Sequence, residues 1–247
     1  RMSNPFHQRE SLDRPIDVPQ LTAEQILARV LHRDGLMLVI DKPAGLPVHR
    51  GPKGGPNLEA SFDALRFGLP RPPVLAHRLD KDTSGCLVLG RHRKATASLG
   101  LLFKHGNISK TYWAIVEGGP AQDEGTIDMP LGRLNAERGW WQKVDPEGQQ
   151  AVTNWKVMGR GEGLTWLALE PVTGRTHQLR VHSSAQGWPI FGDNIYGNGP
   201  RFGEPRLHLH SREIGIPISK NKEPVRVVAP APEHMRERLR ACGWNGE

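Results

Sequence analysis

Cysteine is scarce in this sequence, and long apolar segments are missing from it. Cys86 and Cys242 are the only cysteines among 247 residues, and two isolated thiols in a chain of this length predict free cysteines rather than a disulfide framework. No apolar run approaches the roughly 20 residues that span a bilayer, because the longest, such as residues 36–40, have the length of a strand. Residues 1–10 contain no apolar stretch typical of a signal peptide. We therefore expect a soluble, cytoplasmic protein with no membrane segment.

Acidic residues are outnumbered by basic ones. The chain contains 26 Asp and Glu and 33 Lys and Arg, which gives a formal net charge of +7. Such an excess favours a polyanionic partner such as nucleic acid, because contacts with phosphates release condensed counterions. Charge alone does not identify the chemistry of that partner.

Strand signals outnumber helix signals along the chain. Apolar or alternating segments predict strands at residues 36–40, 86–89, 111–117, 151–158 and 164–170. Helical spacing of apolar residues predicts helices after Asn57, between Ala95 and Phe103, and over residues 233–242. Because the two kinds of element do not alternate regularly, we expect an α+β fold, with a largely antiparallel mixed β-sheet flanked by helices and loops. The expected division is an N-terminal extension at 1–33, a main domain at 34–230, and a C-terminal helix and tail at 231–247.

Residues 77–85, His-Arg-Leu-Asp-Lys-Asp-Thr-Ser-Gly, run directly into the apolar strand 86–89. A loop that ends in a buried strand can hold Asp80 at the floor of a cleft, while Thr83, Ser84 and backbone N–H groups orient its carboxylate. The alternative is that Asp80, Asp82 or Thr83 simply forms a turn. This segment alone leaves both interpretations open.

Two further segments combine polar residues with strand or turn signals. In the strand 111–117, Tyr112 shares its face with the small Ala114, which leaves room for a flat partner such as a base, although ordinary sheet packing is the alternative. In residues 171–182, Gly174 permits a sharp turn and places Arg175 at a helix start, where it could hold a carboxylate or a phosphate. Arg180 follows as a candidate solvated or phosphate-contacting surface charge.

Taken together and in this order, these segments resemble the motifs of the RluA-like family of RNA pseudouridine synthases. HRLDKDTSG resembles the family signature HRLDxxTSG, TYWAIVEG resembles the tyrosine-bearing strand, and TGRTHQLRVH resembles the third motif. DKPAGLPVH and GDNIYG resemble further family elements, so the similarity covers roughly residues 34–230. The resemblance implies a pseudouridine synthase catalytic fold with a central RNA-binding cleft and no cofactor or metal. Residues 1–33 are too few for an S4 RNA-binding module with a linker, so we expect none.

The resemblance also implies roles for individual residues. Asp80 would be the catalytic aspartate, Tyr112 would stack on the target uracil, and Arg175 would pair with Asp80 and orient it. Arg78 would enter the space that the flipped nucleotide leaves. Further RNA contacts are expected from Thr83, Lys110 and Arg180.

The implied partner is a stem-loop of tRNA, rRNA or both, bound by a monomer with no obligate protein partner. Further phosphate contacts are expected from Arg91, Arg93, Lys94 and Lys104, and Trp140 and Trp141 are candidates either for base stacking or for anchoring a loop. Two other functions stay open. A metallohydrolase could use some of the eleven histidines, although none has HExxH spacing, and a non-catalytic RNA-binding module could retain the fold.

Overall fold

A computed structural model describes residues 18–137 and 139–247. Residues 1–17 of the predicted N-terminal extension therefore lie outside the described residues, and residues 18–33 lie within them. In chain order the strands are β1 (Val30–Arg33), β2 (Met37–Lys42), β3 (Val74–Leu75), β4 (Ser84–Gly90), β5 (Ser109–Glu117), β6 (Glu124–Asp128), β7 (Leu131–Arg133), β8 (Gln142–Val144), β9 (Val152–Gly161), β10 (Leu164–Pro171), β11 (Leu209–Ile216) and β12 (Val225–Val228). The α-helices are α1 (Ala23–Leu27), α2 (Arg93–Lys104), α3 (Gln178–Ala185) and α4 (Glu233–Ala241), and a 3₁₀ helix covers Glu59–Leu65.

One large sheet organises these elements. Its strands follow the order β1-β2-β4-β11-β5-β10-β9-β6, with β12 added to β11 and β3 added to β4, while β7 and β8 form a separate hairpin. Within the described residues, β4 and β11 are parallel and the other strand pairs are antiparallel. The predicted α+β class and its largely antiparallel sheet are confirmed.

The two faces of the sheet are covered by different apolar clusters. Along β4, Leu87 and Leu89 belong to one cluster and Cys86 and Val88 to another, as the alternation of a strand requires. Tyr112 packs against both clusters of one face, the one around Leu87 and the one that includes Ala114 and Leu179 of α3. Helices α2 and α4 pack on the opposite face. A site at Tyr112 therefore lies where two hydrophobic cores meet.

The registers explain how distant sequence segments converge. Tyr112 in β5 lies beside Ser211 in β11 and Leu169 in β10, and Ser211 lies beside Gly85 in β4. Gly85 has φ of 106°, and a Cβ atom there would lie 2.1 Å from the Ser211 carbonyl oxygen. Only glycine permits this close approach of β4 to β11. The start of β4 is thereby placed level with Tyr112.

Several local predictions are confirmed, and one is adjusted. Both cysteines are free and buried, and α2 and α4 occupy the predicted stretches. The helix after Asn57 is a 3₁₀ helix, and the Asn57 side chain accepts the Ala60 N–H at 2.9 Å. No helix in the described ranges is long and apolar enough to cross a membrane.

Candidate active site

The loop that carries Asp80 is fastened from below by a buried lysine. Lys42, at the end of β2, is fully buried, and its Nζ donates to the carbonyl oxygens of Pro43, Lys81 and Thr83 at 3.0, 2.7 and 2.8 Å. Burial lowers the pKa of Lys42 to about 7, although the charges of Asp82 and Asp80 oppose this shift. The Thr83 N–H donates to the Asp80 carbonyl at 3.1 Å and closes the turn. The loop is thus held through its backbone carbonyl oxygens, and these contacts do not involve the Asp80 carboxylate.

Asp80 itself is accessible and meets a histidine. Its side chain is 41% exposed, and its Oδ2 lies 3.8 Å from Nε2 of His177, whose side chain is 5% exposed. His177 precedes α3 and has a φ of 53°, a left-handed conformation that is uncommon outside glycine. Burial lowers the pKa of His177, while the nearby charge of Asp80 raises it and that of Arg180 lowers it. The net effect is a lowered pKa, which favours the neutral imidazole.

A tyrosine holds the other side of this imidazole. Nδ1 of His177 lies 2.6 Å from the hydroxyl of Tyr196, and the rings meet edge to face. The same hydroxyl accepts the N–H of Gln142, the first residue of β8, at 3.0 Å. The β7–β8 hairpin is therefore connected through Tyr196 and His177 to the surroundings of Asp80.

Beneath these residues lies a buried ion pair. Arg180 in α3 donates through Nε and Nη2 to both carboxylate oxygens of Asp193, at 3.0 and 2.7 Å, and the two side chains are 4% and 0% exposed. Burial lowers the pKa of Arg180, but the bonds to Asp193 and the charges of Asp193 and Asp80 raise it above its ordinary value. Asp193 also accepts the N–H groups of Ile195 and Tyr196 at 2.9 and 3.1 Å. One carboxylate therefore fixes both Arg180 and the turn that carries Tyr196.

Tyr112 lies within electrostatic range of the same aspartate. Burial raises the pKa of its phenol, the charges of Asp80 and Cys86 raise it further, and a side-chain hydrogen bond with Ser211 opposes the shift. As predicted, Tyr112 and Ala114 share one face of β5. The structure brings together Asp80, Tyr112, His177 and Arg180.

The predicted ion pair between Arg175 and Asp80 is not present in the described part of the chain. Arg175 lies in the turn between β10 and α3, where its Nε donates to the Gln150 carbonyl at 2.8 Å. Its backbone N–H donates to Oε1 of the buried Gln178 at 3.1 Å. The bond from Nε directs the guanidinium toward residue 150 rather than toward the loop of Asp80, and His177 is the residue that lies beside the carboxylate.

The predicted RNA contacts divide into accessible and buried residues. Arg180 is 3% exposed and Thr83 2% exposed, so neither is a surface residue, and their contact with RNA stays a prediction. Arg91 is also engaged, since its guanidinium donates to the carbonyl oxygens of Asp34, Arg66 and Phe67. Arg78 is exposed and remains a candidate.

Lys110 also remains a candidate for contact with RNA. It lies two residues before Tyr112 on β5, which places it on the face of Tyr112. Burial lowers its pKa from the ordinary value of 10.5. Arg93, Lys94 and Lys104 belong to α2, which packs on the opposite face.

Sequence reasoning missed four residues of the site: Lys42, His177, Asp193 and Tyr196. Each lies within a segment that carries the family resemblance, DKPAGLPVH, TGRTHQLRVH or GDNIYG. Their presence in these segments was therefore a signal that could have identified them as residues of the site. Their contacts, such as those of Lys42 with Lys81 and of His177 with Tyr196, join segments that are distant in the chain, which the pattern of a single segment does not contain.

The arrangement offers one accessible carboxylate, a neutral imidazole beside it and a phenol within range of its charge. This set suits acid–base or nucleophilic chemistry on a bound ring. The described residues contain no group of three or more His, Cys, Asp or Glu side chains that could hold a metal ion.

Comparison with known proteins agrees with this geometry. Residues 36–185 match the RNA pseudouridylate synthase family. An uncharacterized RNA pseudouridine synthase of Zymomonas mobilis is 43% identical over 207 residues, which cover 83% of this chain and 94% of that protein. An uncharacterized RNA pseudouridine synthase of Synechocystis is 35% identical over 239 residues, covering 91% of this chain and 71% of the relative.

Solved structures show the same fold. Human RNA pseudouridylate synthase domain containing 4 superposes with a TM-score of 0.73 at 29% identity, covering 88% of this chain and 95% of that one. Human RNA pseudouridylate synthase domain containing 1 gives 0.70 at 28% identity, with 86% of each chain covered. The chain belongs to the RluA-like RNA pseudouridine synthases, a family of isomerases that act on RNA.

Proposed function

We propose that this chain isomerises specific uridines to pseudouridine in structured RNA, in tRNA, rRNA or both, and that Asp80 is the catalytic carboxylate. The observation that carries the proposal is the position of Asp80. Its carboxylate is accessible on a loop held by Lys42, and its charge raises the pKa of both Tyr112 and His177. Such a fixed loop with a free carboxylate is what a preorganised catalytic group requires.

The reaction breaks the N1–C1′ bond and forms a C5–C1′ bond on the same sugar. These atoms are inaccessible in a stacked helix, so the nucleotide must be flipped into the site. Asp80 can then act by one of two routes, attack at C1′ or removal of the proton from C2′. In the first route the Asp80–C1′ bond that replaces N1–C1′ is broken again when C5 attacks C1′, and in both routes the product is an isomer of the substrate, so neither requires a redox cofactor or a group donor.

Tyr112 and Arg78 complete the proposed recognition of the nucleotide. The Tyr112 phenol lies within range of the charge of Asp80, and we assign its ring to stacking on the flipped uracil. Arg78 is exposed two residues before Asp80, and we assign it to the gap that the flipped nucleotide leaves in the RNA. Lys110 shares the face of Tyr112 and can contact a phosphate beside the flipped nucleotide.

The β7–β8 hairpin is the proposed outer contact for a stem-loop. Its connecting loop presents Trp140 and Leu134 at 65% and 38% exposure, and Val144 at the end of β8 is 39% exposed. Lys143 is exposed beside them. An exposed tryptophan next to a cation suits stacking on an unpaired base together with a phosphate contact. Action as a monomer in the cytoplasm is part of the proposal; sedimentation of the purified protein and cell fractionation check those two points.

Tritium release from RNA labelled at C5 of uridine tests the catalytic assignment. With tRNA and rRNA stem-loop transcripts, we expect release by the wild type and none by Asp80→Asn, because the amide cannot act as nucleophile or base. RNA affinity should stay within a few-fold in both proteins. Asp82→Asn is the matched control from the same loop and should remain active. Undiminished release by Asp80→Asn would refute the assignment.

A further inference from the structure

In the contact between Asp80 and the imidazole of His177, the surrounding hydrogen bonds define which group is the donor. We infer that His177 is a positioning residue for Asp80. Its neutral ring carries the proton on Nε2, this N–H donates a hydrogen bond to the Asp80 carboxylate, and Tyr196 fixes that tautomer. The inference rests on the proposed function, in which Asp80 is the catalytic group. It adds two residues, His177 and Tyr196, to those that the reaction depends on.

The position of the proton follows from the partners of Tyr196. Its hydroxyl oxygen already accepts the Gln142 N–H at 3.0 Å, and Nδ1 of His177 lies 2.6 Å away. A phenol can donate one hydrogen bond, and Nδ1 is the acceptor within reach in the described structure. If the phenol donates to Nδ1, the single N–H of a neutral imidazole lies on Nε2. That nitrogen faces Oδ2 of Asp80.

The electrostatic surroundings favour the neutral ring. His177 is 7% exposed, and burial is the main cause that lowers its pKa. The charged groups that act on it are Asp80, Asp82 and Asp193, which raise the pKa, and Arg180, which lowers it. Because Asp193 is already paired with Arg180, its charge is largely compensated. A neutral donor therefore faces the accessible carboxylate of Asp80.

The inference requires this contact to shorten when the substrate binds. Nε2 and Oδ2 are 3.8 Å apart, whereas a hydrogen bond requires about 2.7–3.2 Å. A shift of about 1 Å in the Asp80 side chain is sufficient, and catalytic hydrogen bonds commonly shorten when substrate binds. His177 holds a left-handed backbone conformation with φ of 53°, which is strained for a residue other than glycine. Such strain concentrates where the position of a side chain matters to function.

Nitrogen NMR of the wild-type protein with ¹⁵N-labelled histidine tests the tautomer without any activity assay. We expect the His177 ring, assigned by its loss in His177→Gln, to be neutral and protonated at Nε2 at pH 7. In Tyr196→Phe, which lacks the hydroxyl, the ring should become a mixture of tautomers. Protonation at Nδ1 in the wild type, or a charged ring at pH 7, would overturn the inference.

Two substitutions separate positioning from folding. The amide nitrogen of glutamine takes the place of Nε2, and that of asparagine takes the place of Nδ1, yet asparagine is the better residue for the left-handed conformation. We expect His177→Gln to retain kcat within about 10-fold and His177→Asn to lose about 100-fold, the scale of a misplaced catalytic group, with KM nearly unchanged. Asparagine equal to or better than glutamine would contradict the inference.

The outcomes also separate this inference from the proposed function. An active Asp80→Asn variant would overturn the assignment of Asp80, whatever the tautomer of His177. An inactive Asp80→Asn variant combined with an Nδ1–H ring in the wild type would overturn only the role of His177.

Discussion

Arg180 and Asp193 form a bidentate ion pair in the interior, with Nε–Oδ2 and Nη2–Oδ1 distances of 3.0 and 2.7 Å. Asp193 also orders the turn that carries Tyr196. The pair thereby joins α3, which begins next to His177, to the segment that orients His177. The geometry around Asp80 depends on this buried pair rather than on the surface charge that the sequence suggested.

Removing one partner of this pair should be strongly destabilising. Asp193→Ala leaves the Arg180 guanidinium buried without its counterion, which typically costs about 3–5 kcal/mol. The matched control is the exposed pair of Arg66 and Asp63, whose side chains are 39% and 77% exposed. Asp63→Ala should cost less than about 1 kcal/mol. Urea unfolding of the two variants measures both values, and similar losses in the two would contradict the account.

Loss of the Tyr112 hydroxyl should impair turnover more than binding. Tyr112→Phe keeps the ring that we assign to stacking, so RNA affinity should be nearly unchanged. Without the hydroxyl the residue can neither bond to Ser211 nor take part in proton transfer, and kcat should fall by about 100-fold or more. Single-turnover kinetics with a saturating stem-loop measure the chemical step. Wild-type kcat in this variant would make Tyr112 a packing residue.

Phosphate contacts should come from the face of the sheet that carries Tyr112. Lys110→Gln should weaken RNA binding and reduce the slope of log K against log salt by about 0.7–0.9, the value for one neutralised phosphate. Lys94 belongs to α2 on the opposite face, so Lys94→Gln is the control and should leave the slope unchanged. Titrations at several salt concentrations decide between them. An equal effect of both changes would place the RNA elsewhere.

Stability should decline in mild acid because several histidines are buried as neutral rings. His208 and His210 are fully buried, and burial lowers their pKa to about 3 and about 4, compared with about 6.5 in an unfolded chain. The unfolded state therefore binds more protons than the folded state between about pH 4 and 6.5. The contribution of these histidines to the free energy of unfolding is fully present above about pH 6.5. It falls as the pH is lowered, by about 1.4 kcal/mol per pH unit for each histidine.

Unfolding measured between pH 5 and 7.5 checks this dependence. His210 accepts or donates bonds with Ser84 and the Ala229 carbonyl at 2.8 and 3.2 Å, so His210→Gln should be less stable at pH 7.5. Its pH slope should nevertheless be shallower than that of the wild type by about 1.4 kcal/mol per unit. Parallel slopes would show that His210 does not titrate on unfolding.

Local patterns predicted much of the fold. The strands over 36–40, 86–89 and 164–170 have continuous or alternating apolar residues, and each is a strand of the large sheet. β11 was not predicted, although it lies beside β4 and β5, because its buried positions include His210 and Ser211. Polar residues in a core become acceptable only when tertiary partners satisfy them, and here Ser84 and the Ala229 carbonyl do so.

The site was predicted only in part, because some of its contacts depend on tertiary structure rather than on local patterns. Asp80 and Tyr112 lie in segments with distinct patterns, and the structure brings them together. The expected partner of Asp80 was misassigned because Arg175 and His177 are two residues apart in one turn. Which of them meets the carboxylate depends on the left-handed conformation of His177 and on the bond from Arg175 to Gln150. Neither contact leaves a periodic signal in the sequence.

The most direct test of the central claim is a map of pseudouridine in the RNA of the native cells after deletion of the gene. If this chain forms pseudouridine through Asp80, one or more uridines in tRNA or rRNA should lose the modification on deletion. The wild-type gene should restore the modification, and Asp80→Asn, expressed to the same level, should not. Restoration by Asp80→Asn, or an unchanged map after deletion, would contradict the account.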